Sequence, residues 1–346
     1  MILQAPFPWF GGKSRVAHEV WPRFGPCSNY VEPFFGSGAV LLARPGGAQG
    51  TETVNDKDGF VCNAWRAIKS MPDETAEWAD WPVNENDLHA RHVWLVERRE
   101  ALSRRLEGDP DYCDPKIAGW WLWGISCWIG GGWCAGRNGP WGVVEDEDGV
   151  RQLVHLGDAG QGVQRRLVHL ARGRGVQRKR VHLGNAGRGV KRKLVHLGDA
   201  GRSVSRSGTD LDAWFAALSE RMRRVRVCCG DWSRVCGPTP TTKFGLAGVF
   251  LDPPYSAQTG RDADIYATED LTVAQDVAAW CREHGDDPLM RIALCGYDGE
   301  HDLPGWECVA WKAAGGYGLQ SEKTGRENAR RERIWFSPHC LRGRLL

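Results

Sequence analysis

The sequence lacks the features that mark membrane-spanning and disulfide-rich proteins. Its 12 cysteines include no CxxC pair and are spread along 346 residues, so we interpret them as reduced thiols of a cytoplasmic protein. The charge-free run at 117–136 contains six glycines, three of them consecutive, so we expect no membrane-spanning helix there. Residues 1–10 contain two prolines and no apolar segment. We therefore expect no signal peptide and a cytoplasmic location, in a bacterial or phage-infected cell.

Neither sign of charge dominates the whole chain, whose formal net charge is +2. Residues 151–206 nevertheless contain 14 Lys or Arg and 2 Asp, a net charge of +12, which leaves −10 for the rest. A basic segment on an acidic body indicates local contact with a polyanion. The length and the 42% of hydrophobic residues predict a soluble globular protein of one or two domains.

The basic segment is an internal repeat with a unit of 13 or 14 residues. The sequence Leu-Val-His-Leu, with Arg for the first Leu in one copy, occurs at 153–156, 167–170, 180–183 and 194–197. Glycine-rich turns separate these β-branched runs, which favours hairpins or a small β-stack inserted into a larger fold. The histidines recur once per unit and do not converge as metal ligands do, so we predict no metal site.

Both ends of the sequence alternate between predicted strands and helices. Strands are predicted at 30–33, 53–56, 248–252, 291–295 and 333–336. Helices are predicted from Ala39, from Phe60 to Ser70, and through the polar stretch at 75–108. The βαβ order predicts an α/β fold with a Rossmann-like, doubly wound parallel sheet.

The strongest chemical signal is Asp252-Pro253-Pro254-Tyr255, directly after the predicted strand at 248–252. Two prolines restrict the backbone, so the carboxylate and the neighbouring carbonyl groups point in set directions. Such acceptors can take both hydrogens of an exocyclic amine and localise its lone pair, and the tyrosine ring offers a face for an extruded base. The alternative is a Pro-Pro turn that only closes a strand.

A glycine turn and a carboxylate indicate a nucleoside site. Gly36 and Gly38 follow the first predicted strand, but Leu41 stands at the third glycine position of a dinucleotide fingerprint, which favours a smaller nucleoside ligand. Asp56 ends the next strand, where a carboxylate can bind two ribose hydroxyls. The alternative for Asp56 is a helix cap.

Two further segments carry residues suited to ligand binding. Trp9 and Lys13 flank a Gly-Gly pair, which suits a loop over a zwitterionic ligand that has a carboxylate; the alternative is a turn with Lys13 in solvent. Asp231 lies between Gly230 and Trp232, and its carboxylate can accept a hydrogen bond from an adenine amine.

These motifs, in this order, resemble Dam-type DNA adenine N6-methyltransferases. The resemblance covers roughly residues 5–70 and 225–345, with a weaker likeness to the family's target-recognition hairpin at 118–142. It implies transfer of a methyl group from S-adenosyl-L-methionine to N6 of an adenine flipped out of double-stranded DNA. By position, it implies that 252–255 are catalytic and that the cofactor contacts are Trp9, Lys13, Glu32, Phe34, Gly36, Gly38, Asp56 and Asp231.

The resemblance also implies how the chain is divided and what it binds. Residues 1–70 and 226–346 would form the methyltransferase core, and 71–225 a target-recognition insertion that contains the basic β-rich repeats at 151–206. The predicted DNA contacts are Arg137, Asn138, Arg165, Arg166, Arg178 and Arg192, the last four on charge alone. The alternative for the repeat is a solvated loop. We expect a monomer without membrane contact, and the resemblance leaves room for a restriction endonuclease partner.

Two other functions fit parts of the sequence. Cytosine N4 methylation uses the same amine chemistry, and a DNA-binding protein with a decayed catalytic core would keep the basic segment. Cytosine C5 methylation does not fit, because its nucleophilic cysteine follows a proline in the catalytic loop. Pro26-Cys27 precedes the glycine turn, and the Asp-Pro-Pro-Tyr motif stands where that loop would be.

Overall fold

The computed structural model describes residues 3–9, 13–128, 133–134, 141–145, 151–155, 209–255, 272–311 and 331–342. Within these ranges the chain forms nine strands, in chain order β1 (Asn29–Glu32), β2 (Thr51–Asp56), β3 (Trp141–Glu145), β4 (Arg151–His155), β5 (Val225–Cys229), β6 (Ala247–Leu251), β7 (Met290–Tyr297), β8 (Glu307–Ala310) and β9 (Glu332–Phe336). Each of the five strands predicted from the sequence is confirmed, with ends that differ by at most two residues.

Seven of these strands form one sheet in the order β5-β2-β1-β6-β7-β9-β8. The pairs from β5 to β7 are parallel, and β9 runs antiparallel to both of its neighbours. The chain moves outward in one direction from β1 and in the other from β6, so the direction of winding reverses between these two strands. In sheets of this kind, ligands bind at the carboxyl ends of the strands beside such a reversal.

Nine α-helices accompany the strands in the described part of the chain. They are α1 (Ala17–Phe24), α2 (Ala39–Leu42), α3 (Gly59–Ser70), α4 (Pro72–Ala79), α5 (Glu85–Val96), α6 (Arg99–Gly108), α7 (Pro115–Cys127), α8 (Thr209–Met222) and α9 (Val273–His284). The predicted helices at 39 and 60–70 and the helical period of 75–108 are confirmed. The helix predicted from Phe60 begins at Gly59. Asp58 caps it, because the Asp58 side chain accepts a hydrogen bond from the Phe60 N–H.

Large aromatic side chains join the helices to the sheet. Trp65 of α3 and Trp121 and Trp123 of α7 are fully buried, and they share one hydrophobic core with Tyr30 of β1 and Phe250 of β6. Each buried indole N–H needs a partner, and that of Trp123 donates to the Trp81 carbonyl at 2.8 Å. Part of the stretch 71–128 therefore packs into the core of the sheet, and the division into two domains stays a prediction.

The first repeat unit contributes to a hairpin. β4, which contains Leu153, Val154 and His155, pairs antiparallel with β3, so that His155 lies opposite Trp141. The other three units lie outside the described residues, as do Arg137, Asn138 and the four arginines predicted to contact DNA. The charge-free run begins within the 13-residue helix α7, which ends at Cys127, and none of the helices in the described ranges is long and apolar enough to span a membrane.

Candidate active site

The turn after β1 brings backbone groups to the carboxyl edge of the sheet. Gly36 and Gly38 have φ angles of 47° and 67°, a left-handed conformation that side chains disfavour. A Cβ atom at Gly36 would also collide with the Trp9 indole. The Gly36 carbonyl accepts a 2.9 Å hydrogen bond from the Trp65 indole N–H, which holds the turn against the core. Position 36 thus requires glycine for two reasons, namely its left-handed backbone conformation and the close approach of the Trp9 indole.

Asp56, the last residue of β2, faces this turn. Its carboxylate accepts hydrogen bonds from the Gly36 N–H at 2.8 Å and from the Asp58 N–H at 2.9 Å. Burial raises the pKa of Asp56 from its ordinary value of 3.8 to about 7, although the backbone hydrogen bonds oppose the shift. Asp56 is not the helix cap that the sequence left open, because Asp58 fills that position.

The carboxyl end of β5 adjoins the same place. The Gly230 N–H donates to the Asp56 carbonyl at 2.9 Å, and the Asn55 side chain donates to both the Pro33 and Gly230 carbonyls at 3.1 and 3.0 Å. The ends of β1, β2 and β5 are thereby tied together. Asp231 follows Gly230.

Residues beyond these strand ends include one aromatic pair. The rings of Phe34 and Trp232 are stacked with centroids 6.1 Å apart. The Asp231 carboxylate accepts hydrogen bonds from the Ser233 N–H at 3.0 Å and from its hydroxyl at 2.6 Å, so it caps the short 3-10 helix Trp232–Val235. Glu32, by contrast, is fully buried within the sheet and accepts the Tyr30 hydroxyl at 2.8 Å.

The Asp-Pro-Pro-Tyr segment follows β6 and meets Lys13. The Lys13 ammonium lies 3.0 Å from the Asp252 Oδ1 and donates to the Tyr255 hydroxyl at 3.0 Å. It also lies over the rings of Tyr255 and Trp311, 5.3 and 5.4 Å from their centroids. Only 6% of Lys13 is exposed. The alternative that Lys13 is a solvated side chain is therefore wrong, because the residue is a buried cation bound to the motif.

The charges of this group are coupled. Burial raises the pKa of Asp252, and the adjacent Lys13 ammonium opposes that rise. Burial also raises the pKa of Glu332, again against Lys13, and raises that of the Tyr255 phenol well above its usual range. One ammonium thus opposes the rise that burial causes in the pKa values of two carboxylates. Among the described residues, no group of three or more His, Cys, Asp and Glu side chains could hold a metal ion.

The amino-terminal part of this site matches a known family. A family model of the D12 class N6 adenine-specific DNA methyltransferases matches residues 9–98, about a quarter of the chain. The amino-terminal part of the chain is therefore similar to adenine-specific DNA methyltransferases of this class. No curated relative matches the sequence. The matched range contains Trp9, Lys13, the β1 glycine turn and Asp56, and it ends before the motif at 252–255.

Three residues of this candidate site were not predicted from the sequence. Glu332 accepts the Tyr255 hydroxyl at 2.7 Å. Tyr297 packs edge-on against the Tyr255 ring at 4.5 Å between centroids. Trp311 lies beside Lys13. Each is a single residue at or next to the end of a strand, with no sequence motif around it. The predicted strand at 333–336 was the only sequence signal near any of them, and it begins one residue after Glu332.

Proposed function

We propose that this protein is a methyltransferase that takes its methyl group from S-adenosyl-L-methionine and transfers it to N6 of an adenine flipped out of duplex DNA. The observation that carries the proposal is the contact of Lys13 with both Asp252 and Tyr255 at the carboxyl end of β6. It lies at the reversal of the sheet, the position where α/β proteins bind nucleotides. The family match supports adenine as the base.

The residues at the ends of β1 and β2 fit S-adenosyl-L-methionine. The left-handed turn at Gly36 and Gly38 presents backbone groups at the carboxyl edge of the sheet, where such a ligand would bind. The Asp56 carboxylate is a hydrogen-bond acceptor suited to ribose hydroxyls. Phe34 and Asp231 lie at the ends of the adjacent strands and complete the proposed contacts. When bound, the cofactor supplies an electrophilic methyl group on a sulfonium.

Asp252 is proposed to hold the target amine. Its carboxylate would accept one amine hydrogen, and a backbone carbonyl of the Pro253-Pro254 segment would accept the other. Both bonds draw the nitrogen lone pair out of conjugation with the ring, which makes the nitrogen a better nucleophile. Lys13 supports this role because it favours the ionised, accepting form of Asp252 against burial.

Tyr255 is proposed to bind the face of the flipped base. Its ring is partly exposed beside Asp252 and is fixed from behind by Tyr297. Base–aromatic stacking contributes about 1–3 kcal/mol per base, which offsets part of the cost of unstacking the adenine from the duplex. The direct transfer needs no covalent enzyme intermediate.

The experiment that tests the function is methyl transfer from labelled S-adenosyl-L-methionine to unmethylated bacterial genomic DNA, followed by nucleoside analysis. We expect N6-methyladenine as the labelled nucleoside. Label in N4-methylcytosine would contradict the assignment of adenine as the target base, but it would agree with the proposed methylation of an exocyclic amine. A folded protein that binds DNA and transfers no label would favour the decayed DNA-binding alternative.

The basic repeat is proposed to contact DNA phosphates, which its net charge of +12 supports. We expect that replacing Arg165, Arg166, Arg178 and Arg192 with Gln weakens DNA binding. We also expect the slope of log K against log salt to become shallower, by up to about 0.9 for each phosphate that the protein no longer neutralises. Filter binding at several salt concentrations measures both quantities.

A matched control removes the same charge from the described surface. Its substitutions to Gln are at four exposed basic residues outside the predicted insertion, Arg226, Lys243, Arg282 and Arg342. We expect this variant to keep the wild-type slope. Equal slopes for the two variants would mean that the repeat is a solvated loop.

A further inference from the structure

The Tyr255 hydroxyl lies between a cation and a second carboxylate. It is 3.0 Å from the Lys13 ammonium and 2.7 Å from the Glu332 Oε2. An ammonium group can only donate hydrogen bonds, and a phenol has a single hydrogen. The hydroxyl therefore accepts from Lys13 and donates to Glu332. Both contacts are charge-assisted, the stronger kind of hydrogen bond in proteins.

The sheet fixes where the Glu332 carboxylate lies. Glu332 is the first residue of β9 and is paired with Tyr297 of β7. Residues paired across two strands project to the same face, and both side chains contact Tyr255. Only 6% of Glu332 is exposed, so neighbouring groups hold its carboxylate away from water.

Tyr255 itself belongs to no helix or strand. It follows Leu251, the last residue of β6, by four positions, with two prolines between them. The position of the ring therefore depends on side-chain contacts, which include the edge of Tyr297 and the hydrogen bonds of the phenol with Lys13 and Glu332. Lys13 is shared with Asp252.

We infer that Glu332 is a positioning residue for methyl transfer, which acts through the Tyr255 phenol and holds the ring against which the flipped base stacks. The inference rests on the proposed function. Preorganisation of this kind lowers the barrier because the ring need not be ordered when the base arrives. Glu332 touches neither the base nor the cofactor in this role.

The test is a double-mutant cycle on the full-length protein, with kcat, KM for DNA and the cofactor Kd as readouts. We expect Glu332→Ala to lower kcat by about 10- to 100-fold, the value of removing a hydrogen bond to a charged group. The cofactor Kd should change by less than about twofold, since Glu332 lies away from the ends of β1 and β2. Glu332→Gln keeps an acceptor for the phenol and should stay within about threefold of wild type.

The coupling to Tyr255 separates positioning from a general structural role. In a Tyr255→Phe background, where the phenol is gone, Glu332→Ala should change kcat by less than about twofold. The matched control is Glu307→Ala on the neighbouring strand β8, which removes the ion pair with Arg23 at 3.0 Å but does not reach Tyr255. We expect it to keep wild-type kcat.

Three results would overturn the inference while the proposed function stands: wild-type kcat in Glu332→Ala, additive effects of Glu332→Ala and Tyr255→Phe, or a Glu332→Gln variant as impaired as Glu332→Ala. Should Glu332→Ala fail to fold, Glu332→Gln and its double variant with Tyr255→Phe decide the question. Absence of transfer by the folded wild-type protein would overturn the proposed function and the inference together.

Discussion

Two carboxylates on one strand, Glu52 and Asp56 of β2, have opposite surroundings. Glu52 lies near the amino end and is bound by two buried arginines: Arg44 Nη1 lies 2.8 Å from its Oε1, and Arg221 Nη1 lies 2.6 Å from its Oε2. Asp56 lies at the carboxyl end and accepts hydrogen bonds from the backbone N–H groups of Gly36 and Asp58. Two cations thus bind the Glu52 carboxylate, whereas backbone N–H groups bind the Asp56 carboxylate.

The difference follows from what each end of the sheet must do. The ion triad of Arg44, Glu52 and Arg221 also satisfies backbone carbonyls, since the two arginines donate to Cys27 and Leu41 at 2.8 and 3.0 Å. The charged groups of the triad therefore bind one another and the backbone of the fold. At the carboxyl end, by contrast, burial raises the pKa values of Asp56 and Asp252, as is common where carboxylates serve binding and catalysis.

We expect the largest effect on methyl transfer from a substitution of Asp252, the carboxylate that directly follows β6. Asp252→Ala should lower methyl transfer by about 10³-fold or more, because the target amine loses the acceptor that localises its lone pair. Folding should survive with lowered stability, since the buried Lys13 ammonium loses its ion-pair partner but keeps the Tyr255 hydroxyl. Initial rates with labelled cofactor and thermal unfolding measure the two effects. Transfer by this variant at more than about a tenth of the wild-type rate would contradict the site assignment.

At the amino end of β2 we expect the opposite pattern, which is lower stability with an unchanged transfer rate. Glu52→Gln leaves two buried arginines with a neutral partner and should lower the free energy of unfolding by about 3–5 kcal/mol. The transfer rate per folded molecule should not change. Urea unfolding measures the first quantity and assays below the transition measure the second.

The control for this prediction is Glu307→Gln. Its ion pair with Arg23 is half-exposed on the glutamate side, so we expect a decrease below about 1 kcal/mol. If both variants were destabilised by the same free energy, the ion triad would contribute no more than a surface pair. The contrast between the two ends of β2 would then have no basis.

The sequence predicted the strand ends that carry Asp56 and Asp252 because local patterns suffice there. The β-branched pair Thr53-Val54 precedes Asp56 and an apolar run precedes Asp252-Pro253-Pro254, and such patterns mark a strand and its end. The residues around Lys13 were also recognised as a ligand loop. Its contact with Asp252 was not predicted, because the two residues lie far apart in the sequence and no spacing rule joins them.

The partners of Glu52 and Tyr255 were beyond prediction for the same reason. Arg221 lies on α8 and Glu332 on β9, and each finds its carboxylate or phenol only after the sheet order β5-β2-β1-β6-β7-β9-β8 is formed. The place of β9 between β7 and β8 brings Glu332 opposite Tyr297. The predicted DNA contacts lie outside the described residues and stay predictions.

The dependence of stability on pH sharpens the comparison of Asp56 with Glu52. Because the folded protein raises the pKa of Asp56 to about 7 from 3.8, it binds more protons than the unfolded chain between these pH values. The free energy of unfolding that Asp56 contributes is therefore fully present below about pH 4 and is lost as the pH rises through about 7. The slope is at most about 1.4 kcal/mol per pH unit. In Asp56→Asn this contribution should vanish, so the difference in urea stability between the two proteins should change across this range.

The affinity for the cofactor should change with pH in the direction opposite to that of the free energy of unfolding. The ionised Asp56 accepts hydroxyl hydrogens better than the protonated form, so affinity for S-adenosyl-L-methionine should increase as the pH rises from about 6 to 8 in the wild type. Asp56→Asn should bind more weakly by about 10-fold or more, with little dependence on pH. Calorimetric titration at several pH values measures both. Parallel pH curves for the two proteins, in stability and in binding, would show that Asp56 is held like Glu52, as a structural carboxylate.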